Sequence, residues 1–267
     1  IASGNTLEAL AALWLLTRNA RTDALLSNLN SYFRLAWATA LSACLSALTG
    51  CITAWAAGLL TQQNFASSLL QWWQGDVLGM IVLTPFILLW QHLPHSWLRK
   101  GRAIEAVACF GLALLAGQIV FLGWFQELFG IYARGFWMFI FIVWSAVRFS
   151  RHGASLVIVM VALQAILSPL LGVGFFAGDI AKTGLSNYWV YTLTLAMVGM
   201  ALATLNYERS QSTRMIRERE ARLDAVIDNA LDAVVQMDST GHIRDWSKQA
   251  EQIFGWTRDA AIGRLMH

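Results

Sequence analysis

Apolar residues gather into seven long runs, at about 3–17, 35–59, 66–90, 103–126, 135–149, 153–172 and 187–206, with short polar joints between them. A bilayer core takes about 20 apolar residues in helical form, so the runs are read as membrane spans, the first of them short. The pattern then changes. From Leu205 to Asn229 the chain turns polar without Pro or Gly, so the last span is expected to run on as helix. In that stretch Ile216, Leu223 and Ala230 recur every seven residues and Val226 takes a d-like position, while Ser212 and Arg219 weaken the seam. This predicts a short, imperfect coiled coil; a single solvated helix is the plain alternative. Further on, residues 233–237 and 242–246 read as two strands about a turn at Ser239–Gly241, which is a hairpin. A short helix at 249–254 follows, closed by Gly255.

Charge sharpens this division. Residues 1–206 hold ten Lys/Arg and six Asp/Glu, whereas the last 61 residues hold nine and ten. The chain as a whole is 57% hydrophobic and 13% charged, about half the charge of an ordinary soluble domain. The predicted domains are therefore a transmembrane part, 1–206, a helical linker, 207–230, and a soluble end, 231–267. The joints alternate as well. Arg18, Arg21 and Arg34 mark the first, Arg99, Lys100 and Arg102 the third, and Arg148 and Arg151 the fifth. Those between are nearly free of cations, and the tail after Tyr207 is rich in Arg. Short Lys/Arg-rich loops stay cytoplasmic, so seven crossings place the C-terminus inside and residue 1 outside. An outside start implies a further helix upstream, eight in all. The chain opens without Met and reads as a piece of a longer protein. The thirteen Trp suit bilayer interfaces. No basic run is interleaved with aromatics, which argues against nucleic acid as a partner.

Ionisable groups inside a span are costly and face the bundle interior. Asp76 stands mid-span in Trp72-Trp73-Gln74-Gly75-Asp76-Val77-Leu78-Gly79. Gly75 and Gly79, four apart, are expected to permit close helix contact, and Pro85 to kink the same helix. Asn5 and Glu8 share one face of the first span and could meet Asp76 or Arg148 across the bundle. Asp76 could equally serve only to fix packing, or could handle an ion or proton, and Arg148 could be a snorkelling residue that sets topology. Gln118 and Gln164 suit interhelical hydrogen bonds. Cys44, Cys51 and Cys109 lie in apolar runs and read as packing residues. No His falls in mid-span for haem, the last span has no Lys for a Schiff base, and no cluster has metal spacing. The sequence thus makes no cofactor evident and offers no catalytic group.

Two stretches resemble known families. Leu231-Asp232-Ala233-Val234, Asp238-Ser239-Thr240-Gly241-His242-Ile243, Trp246-Ser247, Ala250-Glu251-Gln252-Ile253-Phe254-Gly255-Trp256 and Ala261-Ile262-Gly263-Arg264 resemble the opening of a PAS domain. The pattern departs at Ser247, where Asn is usual, and at Ala260, where Glu is usual. Gly4-Asn5-Thr6-Leu7-Glu8-Ala9, Trp72 with Gly75-Asp76-Val77-Leu78-Gly79, Thr84-Pro85, Trp144-Ser145-Ala146-Val147-Arg148-Phe149 and Arg151-His152-Gly153-Ala154 resemble the first class of membrane-associated sensor domains. That resemblance implies an all-α polytopic bundle of eight helices in a bacterial inner membrane, ahead of PAS modules and then a histidine kinase or a cyclic-di-GMP synthase or phosphodiesterase. It supplies no ligand, and the PAS ligand is equally unnamed.

The expectation is a receptor that takes a membrane or periplasmic signal, a small molecule among the possibilities, at Asp76, Trp72, Trp73, Asn5, Glu8 and Arg148. It would pass the signal down a linker that pairs in a homodimer along Ile216, Leu223 and Val226. A transporter or channel with a regulatory tail, and a dimerisation or interaction scaffold, are the rival classes.

Overall fold

The computed structural model describes residues 2–18, 26–93, 97, 100–125, 127, 135–228 and 232–266. Helices α1 (Ala2–Thr17), α2 (Leu29–Ala56), α3 (Gln62–Trp90), α4 (Lys100–Leu122), α5 (Trp137–Leu171), α6 (Asp179–Thr183) and α7 (Ser186–Asp228) precede strands β1 (Val235–Met237) and β2 (Ile243–Trp246). The short helices α8 (Lys248–Phe254) and α9 (Arg258–Ala261) come last. The chain divides into two compact units, Ile1–Glu208 and Arg209–His267.

Among the described residues five helices, rather than the seven expected, are long and apolar enough to cross a membrane. Two physical reasons account for the difference. Helix α1 has only 16 residues, and the fifth and sixth predicted runs join without a loop in the 35-residue α5. Ser150, at φ 57° and ψ −150°, breaks α5 in the middle. Along α7, Tyr191, Gly199 and Asn206 meet Gly135, Ile142 and Ala146 in rising order. Tyr188 and Gly199 meet Ala162 and Ile158 in falling order. The halves of α5 therefore run antiparallel. A Cβ placed on Gly199 would lie 2.7 Å from Ile142 and 3.2 Å from Ile158, residues that an unbroken helix would set about 24 Å apart. One residue reverses the chain.

The remaining neighbours pack just as tightly. Gly4 of α1 sits against Thr49 of α2, and Gly117 of α4 against the Gln164 carboxamide of α5. The core runs through Tyr32, Val77, Phe121, Met138, Ile142, Ile158, Leu195 and Met200, all buried. Large apolar side chains such as Trp37, Ile104, Val107 and Ile140 face outward, as a lipid-facing surface requires. Asn28 caps α2 by accepting from Ser31 N at 2.7 Å while Asn28 N donates in turn to Ser31 Oγ at 3.2 Å, which satisfies donors that a helix start leaves free.

In the second unit β1 and β2 pair antiparallel with an irregularity at Gln236/Met237. The first strand begins two residues later than the alternation suggests. Ser247, at the position where the PAS pattern departs, caps α8 by accepting from Ala250 N. Gly255 closes that helix in the left-handed conformation. Ile243, Trp246, Ala250 and Ala261 form a small core.

Two measurable consequences follow from this geometry. Gly199→Leu, which forces a side chain between the halves of α5, should cost about 1–3 kcal/mol, seen as a lower unfolding temperature of the lipid-reconstituted chain. In the hairpin turn, hydrogen bonds from the Thr240 side chain, His242 N and Thr240 N hold the Asp238 carboxyl down at about 2, against an ordinary 3.8. A carboxyl depressed on folding stabilises the fold fully above its unfolded value and loses that effect as pH falls through the folded one. The Thr240 and His242 amide shifts should titrate in that interval, and should cease to do so in Asp238→Asn.

Candidate functional site

Helices α1, α2 and α3 bring four of the sequence-selected residues together. Glu8 is 7% exposed. Asp76 is partly buried, and both lie beside the Ser46 hydroxyl of α2, close enough to each other to interact electrostatically. Ser46 Oγ donates to Asn5 Oδ1 at 3.1 Å. Thr39, Ser42 and Thr49 share its face of α2 but bond back to carbonyls of their own helix. Only after these bonds are counted does the polar deficit show. Glu8 Oε1 and Asp76 Oδ2 are both inaccessible and without a hydrogen-bond partner. Trp72 closes the group by laying its ring on Gly50, where an added Cβ would meet it at 2.6 Å.

The neighbouring residues turn elsewhere. Trp73 Nε1 donates to the Ala40 carbonyl at 2.9 Å, and its ring lies 5.9 Å from that of Trp189, whose Nε1 donates to the Gln74 carbonyl. Gly75 and Gly79 do not make the expected close helix contact, since nothing lies within 4 Å of a Cβ on either. They open instead on a cleft of about 390 Å³ between α3 and the second half of α5, lined by Leu78, Val82, Leu163 and Tyr188. Pro85 is buried, and α3 runs through it unbroken.

Arg148 does not join the carboxyl pair. It forms a fork with Glu105 of α4, Nε–Oε1 at 2.5 Å and Nη2–Oε2 at 2.7 Å, and Trp144 Nε1 reaches the same carboxylate at 3.4 Å. Glu105 lies inside an apolar run, and no sequence spacing links it to an Arg 43 residues away. Gln164 donates to the Leu114 carbonyl across to α4 at 2.9 Å, an interhelical bond of the expected kind.

Two functional features escaped the sequence reading. The first is Asp179, 4% exposed, whose carboxylate accepts from Thr183 Oγ1, Asn187 Nδ2 and Tyr188 N and so folds 179–188 over one end of the bundle. Thr183 at i+4 and Asn187 at i+8 were its only signal. The second is a clamp where α7 leaves the bundle. Asn206 Nδ2 donates to the Ala146 and Val147 carbonyls, and the Arg151 guanidinium stacks on Tyr207 at 3.5 Å while bonding to Leu26 O. Glu208 Oε1 accepts from Leu29 N at the start of α2, where a carboxylate suits the positive helix end.

The family model of MASE1 matches residues 1–210, and that of the PAS fold matches 221–267. This chain belongs to the MASE1 family. No solved structure matches it. The MASE1 domain is a membrane signalling domain, and its apolar helices make the chain a multi-pass membrane protein in contact with the lipid bilayer. The PAS match covers β1, β2, α8 and α9. In the linker, Ile216 is exposed; the side chains of Leu223 and Val226, though within α7, lie outside the described residues.

The Arg148 side chain is 54% exposed and that of Glu105 23%, so the fork lies at the surface of the bundle rather than in its core. A double-mutant cycle with Arg148→Ala and Glu105→Ala should give a coupling no larger than about 1 kcal/mol, read from unfolding in lipid nanodiscs.

Proposed function

We propose that this chain is the sensory half of a bacterial inner-membrane receptor, in which a change in the bundle is passed along α7 to the PAS domain and on to an output module. Seven crossings fit the geometry: α1 to α4, the two halves of α5, and the first part of α7. The contacts support it, because Leu16, Leu26, Leu29, Leu89, His152 and Asn206 come together at one end, and Leu122, Gly135, Gly174 and Gly184 belong to the other. Arg18, Arg34, Arg102, Arg148 and Arg151 belong to the first end, which is therefore read as the cytoplasmic one, with the C-terminus on the same side. The working boundaries remain 1–206 for the bundle, 207–230 for the linker and 231–267 for the PAS start.

One observation carries the reading. Helix α7 is continuous from Ser186 to Asp228, and at 206–208 it is fastened to the α5 turn and to the start of α2. A helix held there is displaced by a shift of either element. Exposed Ile216 supports pairing with a second copy along the Ile216, Leu223 and Val226 seam. A marginal seam can switch between two registers on a small input. The output is either a histidine kinase or a cyclic-di-GMP enzyme.

Three residues decide the test. Asp76→Asn should change the output of the intact protein while insertion and expression stay unchanged, and wild-type output would remove Asp76 from the sensing site. Tyr207→Ala, which frees α7 from Arg151, should uncouple output from the bundle. If signalling survives Tyr207→Ala and Asn206→Ala together, the relay through α7 is wrong.

A further inference from the structure

Resting on the sensory reading of the same three helices, we propose that Glu8 and Asp76 are a proton-binding site and together hold a single proton. Glu8 Oε1 and Asp76 Oδ2 are both shut away from solvent and both lack a donor. Ser46 Oγ, which lies beside both carboxyls, has one hydrogen to divide among them and Asn5 Oδ1, 3.1 Å away. A buried acceptor without a partner is expensive, and two such acceptors on carboxyls that share the Ser46 hydroxyl are more so. One proton held between the two carboxyls would cure both faults, since a protonated carboxyl can donate to an ionised one.

Among the described residues of α1, α2 and α3, no side chain offers the alternative of a countercharge. Helix α1 carries Glu8 as its only charged residue, and Asp76 is the only one in α3. Helix α2 carries Arg34, twelve residues from Ser46 and so about 18 Å along the axis, where it bonds to the Leu16 carbonyl. The other titratable groups of α2 are Tyr32, bonded to the Ala196 carbonyl, Cys44 on the exposed side, and buried Cys51. None of these can neutralise two carboxylates. Like charges at close range in a dry site do not both ionise.

A metal ion fits less well than a proton. Sodium-sized and larger cations want about six oxygens, whereas Glu8, Asp76, Ser46 and Asn5 supply few that are free. The ligand class is therefore the proton, and its loss would set two negative charges against each other between α1 and α3. The bundle would then respond to acidity on the side from which the pair is filled.

Infrared difference spectroscopy on the intact chain in lipid nanodiscs at neutral pH tests the assignment. The expected result is a protonated-carboxyl carbonyl band that shifts down in heavy water. It should be lost in Glu8→Gln/Asp76→Asn and unchanged when potassium in the buffer is replaced by sodium or magnesium. Should the double variant fail to insert, Glu8→Gln or Asp76→Asn alone must move or abolish the band, because each removes one half of the shared bond. Absence of the band, a band indifferent to both substitutions, or one that shows only when sodium or magnesium is withdrawn would overturn the proposal. These outcomes are separate from the sensory reading. A band present with wild-type output in Asp76→Asn sinks the sensing role and leaves the proton, whereas altered output without a band does the reverse.

Discussion

Hydrocarbon offers no hydrogen bond to a peptide group or a carboxylate, and every feature of this bundle answers to that constraint. Helices close their own backbone bonds, so the cost concentrates at their ends, at breaks and at the few polar side chains they carry. Most of these places have a partner built for them, although Arg34 Nε, Gln164 Oε1, Thr192 Oγ1 and Thr204 Oγ1 are buried without one. Asn28 and Ser31 serve one helix start, and Ser168 accepts from Phe176 N while donating to the Val173 carbonyl beyond the α5 end. Asp179 gathers three donors at once. Among the unmet atoms those of Glu8 and Asp76 are set apart because they belong to carboxyls inside the spans, and a buried group of that kind calls for an explanation.

Much of the architecture could be read from residues in order, because the lipid-facing runs and the arginine-bearing joints are local properties of sequence. The change from apolar to polar helix after Leu205, the hairpin about Gly241 and the helix stop at Gly255 were legible for the same reason. Asp76, Glu8 and Asn5 stood out as polar residues in apolar company, and the structure does gather them. The partner that joins them did not stand out, since a Ser among many small residues in α2 carries no signal of its own.

What could not be read was which face each apolar helix turns to which neighbour. A run that is hydrophobic all round has no stripe to orient it. Gly75 and Gly79 accordingly looked like a packing seam and line a cleft, while the true close approaches fall at Gly4, Gly50, Gly117 and Gly199. Arg148 looked like a partner for mid-span acids and pairs with Glu105, whose position in the fourth run gave no warning. The joint between the fifth and sixth runs was placed correctly but not its tightness, because a positive φ at a serine leaves no trace in sequence.

That tightness has a consequence for how the molecule can change. With a lone serine making the reversal, there is no slack between the two halves of α5, and each inserted or deleted residue would turn the second half by about 100°. Gln164 would swing off the Leu114 carbonyl it now holds. Residues 137–171 must therefore be inherited, transplanted or redesigned as one indivisible piece.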